Sequence, residues 1–297
     1  MAFIDVSSVS KTFRTDRQQR CVLENVTLAV EQGEFVSIVG FMGCGKSTLL
    51  SIMAGLTRPD AGEVRLGGEI VRGVPPKTAI VFQNYSLLPW LTAIENVHLA
   101  VTAALPAWTR QRQVDQARAY IGKVGLASAA HRRPGQLSGG MRQRVAIARA
   151  LATQPDVLFL DDPFCALDAL TRATLQQELA QLCAAEERPV TTLMITNSVD
   201  EALLLSDRIV PMTHGPRATL GRPVAVAIPK PRTFAQLVHD KEALQSRAHV
   251  VESLTVSVRR PRHPQLAPPP IGDIGLTAVR LRARGATAGQ VPNRGEA

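Results

Sequence analysis

Gly40-Phe41-Met42-Gly43-Cys44-Gly45-Lys46-Ser47-Thr48 is the stretch that decides the fold. An apolar run, Phe35 to Val39, precedes it and reads as a buried strand. Leu49-Leu50-Ser51-Ile52-Met53-Ala54 follows and reads as a helix. Strand, glycine loop, Lys-Ser and helix in that order make a phosphate cradle. The glycines let backbone N–H groups turn inward, and the helix N-terminus adds unpaired N–H groups and a favourable dipole. The Lys46 ammonium can reach the outer phosphates of a nucleoside triphosphate, and the Ser47 hydroxyl can ligate Mg²⁺. The plain alternative is a glycine-rich turn closing a strand–helix unit.

Outward from this loop, apolar strands alternate with helical segments. Ala79–Phe82, Val157–Leu160, Thr192–Ile195 and Arg208–Val210 read as strands, with helices around 175–185 and 199–205. Such alternation predicts a mostly parallel sheet covered on both faces. Phe3–Val6 and Cys21–Val30 alternate as β structure near the N-terminus. From Thr92 to about Ala152 the pattern is helical, broken at Pro106 and at Arg133-Pro134-Gly135, which predicts an inserted helical lobe over about 86–153. After Leu254 the composition changes to Pro, Arg, Gly and Ala, and 257–297 reads as a disordered tail beyond a domain of residues 1–256.

Composition narrows the classes. The chain has 297 residues, 45% hydrophobic and 20% charged, with a net charge of +9. From Lys230 onward there are 11 Lys/Arg against 5 Asp/Glu. That basic end fits either a solvated tail or contact with an anionic lipid or nucleic acid. No apolar run approaches the ~20 residues of a membrane-spanning helix. Met1–Val6 lacks a basic region followed by an apolar one, so no secretory signal is expected. Four cysteines, at 21, 44, 165 and 183, show no zinc or disulfide spacing. Cys44, inside the glycine loop, is either a site of alkylation or a small tolerated side chain.

Two further motifs follow in order. Val157-Leu158-Phe159-Leu160-Asp161 is an apolar strand ending in a carboxylate that would hold Mg²⁺ opposite Ser47. Leu137-Ser138-Gly139-Gly140 opens a helix and forms a second anion-binding N-terminus, unless it is only a capped helix start. Over residues 3–255 the chain resembles the ATPase subunits of ABC transporters. The resemblance implies a P-loop NTPase α/β fold, with an N-terminal antiparallel β portion and an inserted helical subdomain. It implies ATP and Mg²⁺ as ligands, with Gly40 to Thr48 around the phosphates. It also implies that Ser138, Gly139 and Gly140 close over the ATP of a second ATPase subunit. Gln83 stands where the family places a glutamine that touches Mg²⁺, and Ala166-Leu167-Asp168 where a loop crosses the dimer interface. Phe13 stands where an aromatic ring stacks on adenine, although it could equally be a core residue.

A narrower resemblance joins Phe82-Gln83-Asn84-Tyr85-Ser86-Leu87-Leu88-Pro89-Trp90-Leu91-Thr92 and Asp207–Pro216 to the nitrate/nitrite import branch, whose relatives serve cyanate, bicarbonate, taurine and alkanesulfonates. It implies a peripheral subunit on the cytoplasmic face of the cell membrane. Its partners would be transmembrane permease subunits, met by Tyr85–Trp90, and indirectly an extracytoplasmic solute-binding protein. A soluble ABC ATPase acting on nucleic acid is the rival, but the coiled-coil insertion or fused second ATPase unit usual in those proteins is lacking. Two departures from the family pattern bear on turnover. Asp162 stands where the family has Glu as base for the attacking water, and Asn197 where it has a His at the γ-phosphate. A loss of reach of about 1 Å can slow a positioned reaction ~100-fold, and Asn carries no titratable proton. Together they point to a site that binds ATP and hydrolyses it slowly, and to a heterodimer with a more active ATPase subunit.

Overall fold

The computed structural model describes residues 2–15, 18–184 and 189–259. Its centre is a six-stranded sheet of β3 (Phe35–Val39), β6 (Thr78–Val81), β7 (Val157–Asp161), β8 (Thr191–Thr196), β9 (Arg208–Pro211) and β10 (Val224–Ala225). The order is β10-β9-β3-β8-β7-β6, and every pairing is parallel except β10 with β9. Successive side chains point to opposite faces. In β7, Val157 and Phe159 join one hydrophobic cluster, while Leu158 and Leu160 join the other. Both faces are thus buried, which explains why these strands read as continuous apolar runs.

One face carries α1 (Lys46–Met53) and an antiparallel sheet, ordered β2-β1-β4-β5. Those strands are β1 (Ile4–Thr15), β2 (Gln18–Val30), β4 (Ala61–Leu66) and β5 (Glu69–Ile70). The opposite face carries α2 (Ala93–Ala104), α3 (Arg110–Lys123), α4 (Gly139–Leu151), α5 (Ala169–Ala184), α6 (Val199–Leu205), α7 (Phe234–His239) and α8 (Lys241–Arg259). Helices α2 to α4 occupy the stretch read as helical, with breaks where Pro106 and Pro134 interrupt it. Thr92 begins α2 with a reciprocal cap: its hydroxyl accepts from the Glu95 N–H, and the Glu95 carboxylate accepts from the Thr92 N–H.

Strands β4 and β5 and helices α7 and α8 were not expected from the sequence. The last of these helices reaches Arg259, three residues into the expected tail. The remainder of that tail, 260–297, lies outside the described residues. Among the described residues no helix is long and apolar enough to cross a membrane.

Phe159 is fully buried at the middle of β7. Phe159→Ala should remove about 3–5 kcal/mol of unfolding free energy. The check is the urea midpoint at unchanged slope.

Candidate functional site

The loop joining β3 to α1 has a shape that only certain residues can take. Gly43 and Gly45 have φ of 74° and 114°, left-handed values that glycine adopts without strain. A Cβ on Gly45 would also lie 2.9 Å from Val22 Cγ1. The side chain of Lys46 folds back under this loop and is only 7% exposed. Its ammonium donates to the carbonyl oxygens of Gly40 (2.8 Å) and Phe41 (2.9 Å) and to Asn197 Oδ1 (2.7 Å). Three donors meet three acceptors. Burial lowers the Lys46 pKa, while the nearby Cys44, Asp162 and Asp161 oppose that shift.

Neighbouring strand ends supply the carboxylates. At the end of β7, Asp161 Oδ1 accepts from the Ser47 hydroxyl at 2.9 Å. Asp162, in the left-handed region at φ 43°, accepts at Oδ2 from the Asn197 amide at 2.9 Å. Asn197 follows β8 and so bridges Lys46 and Asp162. Burial is the main cause that raises both carboxyl pKa values, against the pull of Lys46 on each. Gln83 follows β6, and its amide donates to Cys165 Sγ at 3.3 Å.

These groups converge on one cleft of about 570 Å³. Phe13, Met42, Gly43, Gly45, Lys46, Ser47, Thr48, Gln83, Asp161, Asp162 and Asn197 line it. Phe13 is 45% exposed, so it is not a core residue. Gly40 and Phe41 act through the carbonyls that hold Lys46. Cys44 is buried, which pushes its thiol pKa up. That favours a packed, unreactive side chain over a site of alkylation. Ser138, Gly139 and Gly140 do not line the cleft. They open α4, where the Ser138 hydroxyl accepts from the Met141 N–H at 3.3 Å. Arg20 and Val22 also line the cleft and were missed in the sequence. Strand alternation was the available signal, since Arg20 pairs with Phe13 across β1 and β2 and Val22 shares its face.

The donor set fits a hard cation bound together with phosphate. A hydroxyl (Ser47), a carboxylate (Asp161) and an amide (Gln83) border the same cleft, and the described residues hold no cluster of three His, Cys, Asp or Glu. Few protein oxygens beside an anion cradle suit Mg²⁺, which keeps waters and phosphate oxygens as ligands.

Comparison with known proteins gives the family. The family model described as ABC transporter matches residues 23–165. The chain is 45% identical over 253 residues to the bicarbonate transport ATP-binding protein CmpD of Synechocystis sp., covering 85% of this chain and 89% of that one. It is 46% identical to the nitrate import ATP-binding protein NrtD of Synechococcus elongatus, covering 85% and 91%. The chain belongs to the ATP-binding subunits of ABC transporters. Members of this family hydrolyse ATP and use Mg²⁺. Among solved structures, the ATP-binding cassette MJ0796, in a dimeric post-hydrolysis state with ADP and Pi, matches with a TM-score of 0.67 and 33% identity, over 76% of this chain and 99% of that one. The ABC ATPase fold comprises the mixed central sheet, the N-terminal antiparallel strands and the helical lobe described above.

The raised Asp162 carboxyl has a consequence for stability. Its folded-state pKa lies above its unfolded value, so the folded chain binds the proton more tightly and the ionised form costs stability. That cost is fully present above the folded-state pKa and disappears as pH falls below the unfolded value, near pH 4. Asp162→Asn should therefore raise Tm by about 1–3 °C at neutral pH. The gain should shrink toward pH 4, as read by thermal scans of both proteins across that range.

Proposed function

We propose that this chain binds ATP with Mg²⁺ in the cleft beyond β3 and hydrolyses it to drive a nitrate- or bicarbonate-type importer. The convergence of Lys46, Ser47, Asp161 and Gln83 on one cleft carries the reading. The transport class is supported by the identity with relatives named for bicarbonate transport and nitrate import. The chain works as a peripheral subunit on the cytoplasmic face of the membrane. Transmembrane permease subunits form the path, and an extracytoplasmic solute-binding protein is an indirect partner. Trp90, 65% exposed beside the half-buried Leu88, gives the Tyr85–Trp90 loop an apolar surface suited to the permease.

Each residue then has a task. Backbone N–H groups of Gly43 to Thr48 wrap the phosphates, and Phe13 offers a ring face to the base. Lys46 exchanges Asn197 Oδ1 for a phosphate oxygen. Ser47, Asp161 and Gln83 would hold Mg²⁺, which would supply charge neutralisation to the phosphates. Asp162 draws the proton of the attacking water, and Asn197 donates its amide to the outer phosphate. Ser138, Gly139 and Gly140 cover the nucleotide of a second ATPase subunit.

In this chain the Asp162 carboxylate is one methylene shorter than a glutamate and already accepts the Asn197 amide at Oδ2, and Asn197 brings no charge to the phosphate. Its own site is therefore slow, and the favoured assembly is a heterodimer. The partner supplies a Glu and a His and performs most of the hydrolysis.

The double variant Asp162→Glu/Asn197→His should release phosphate at least tenfold faster than wild type, a change of ~1.4 kcal/mol in barrier. The assay is phosphate release from the purified chain, alone and with the partner subunit. A wild-type homodimer as fast as the double variant would contradict the slow-site reading.

A further inference from the structure

Between Gln83 and Trp90 the backbone takes a conformation that its own residues disfavour. Tyr85 and Ser86 both sit in the left-handed region, at φ 63° and 46°. Neither is a glycine, and two such residues in succession are uncommon. Strain of this kind persists only where surrounding structure holds it. Locally, the Tyr85 N–H donates to the Phe82 carbonyl at 3.0 Å, and the Ser86 N–H and hydroxyl donate to the Asn84 carbonyl and Oδ1, both at 2.7 Å; a further hold comes from outside the loop. Arg149, half-buried near the end of α4, donates from Nη1 to the Ser86 carbonyl (2.6 Å) and from Nη2 to the Tyr85 carbonyl (2.9 Å). Two charge-assisted bonds from one planar group fix both carbonyl directions at once, in a rigid fork that the rotatable ammonium of a lysine does not impose.

The same loop meets α4 again at its other end. The Tyr85 hydroxyl lies against Gly139, 3.5 Å from where a Cβ would stand. The Arg142 guanidinium lies 5.6 Å from the centre of the Tyr85 ring. Further along, Asn96 of α2 pins the loop by accepting from the Leu88 N–H at 2.8 Å and donating to the carbonyls of Leu88, Leu91 and Thr92. The loop is thus a strained span. Gln83 stands at the cleft at one end, Trp90 is exposed at the other, and Arg149 clamps the middle to the helix that begins at Ser138-Gly139-Gly140.

We propose that Arg149 is a positioning residue that makes the Tyr85–Trp90 loop and helix α4 move as one body, so that docking of Ser138–Gly140 on nucleotide is delivered to the permease-facing surface. This rests on the reading that Tyr85–Trp90 meets the permease. Without the clamp, Tyr85 and Ser86 relax out of the left-handed region, and the helix moves without carrying the loop.

The experiment uses the full chain assembled with its permease and companion subunits in proteoliposomes. It reads the ratio of phosphate release with and without permease, and co-purification with the permease. Arg149→Lys keeps the charge and replaces the planar fork with a shorter, freely rotating ammonium. It should bind ATP and co-purify like wild type, while the permease-dependent ratio falls about tenfold, the scale of one lost charge-assisted bond. Adding Ser86→Gly lowers the cost of the left-handed backbone and should recover at least threefold of that loss, which a simple packing defect would not do. A wild-type ratio in Arg149→Lys, loss of co-purification by that variant, or no recovery with Ser86→Gly overturns the proposal. The docking reading fails separately, through a Trp90→Glu variant that still co-purifies and couples.

Discussion

A buried ammonium organises this site. Lys46 lies almost out of solvent, and its three hydrogens go to two loop carbonyls and Asn197. An unpaired charge at that depth would be costly, so the surrounding acceptors are obligatory. They fix where Gly40 and Phe41 turn, and they draw the residue after β8 toward the residue after β7. Asp161 and Asp162 lie within Coulombic reach of the same cation, which partly offsets the cost of their own burial. In this arrangement Lys46, Asp161 and Asp162 form one electrostatically coupled unit. On the proposed function, nucleotide phosphate competes with Asn197 for Lys46.

The sheet makes this convergence possible. Strands β3, β7 and β8 run parallel and adjacent, so their C-terminal ends open side by side. Alternate side chains anchor each strand in two separate hydrophobic clusters. The strand ends are thereby held from both faces, and short loops join Lys46, Asn197 and Asp162 in one chain of hydrogen bonds, with Asp161 bonded to Ser47 beside them. The helical lobe serves a different end. It presents Ser138–Gly140 away from the chain's own cleft and clamps the strained loop that runs from Gln83 to Trp90.

Much of this was legible in the sequence, for identifiable reasons. The parallel strands are apolar without interruption because both faces are buried, and the glycine loop carries its backbone requirement in its residue types. The helical lobe announced itself through helical spacing and prolines. Strands β4 and β5 were not legible because Ala61–Leu66 is mostly half-exposed and Glu69–Ile70 has only two residues. Their identity comes from pairing with β1 and not from local propensity. Helices α7 and α8 were hidden by polar and charged residues with a modest apolar stripe. At the site, the residue types at 162 and 197 were readable as departures, but their direct bond was not. Nor was the pairing of Gln83 with Cys165 or the grip of Arg149 on Tyr85 and Ser86, since each joins positions more than 30 residues apart.

The central claim is that ATP with Mg²⁺ enters by displacing Asn197 from Lys46. The most direct measurement is a crystal structure of this chain with Mg²⁺ and a non-hydrolysable ATP analogue. The account predicts a phosphate oxygen on Lys46, with Ser47, Asp161 and Gln83 around the metal and the Lys46–Asn197 bond broken. Nucleotide bound elsewhere, or bound in the cleft with Lys46 still donating to Asn197, would contradict it.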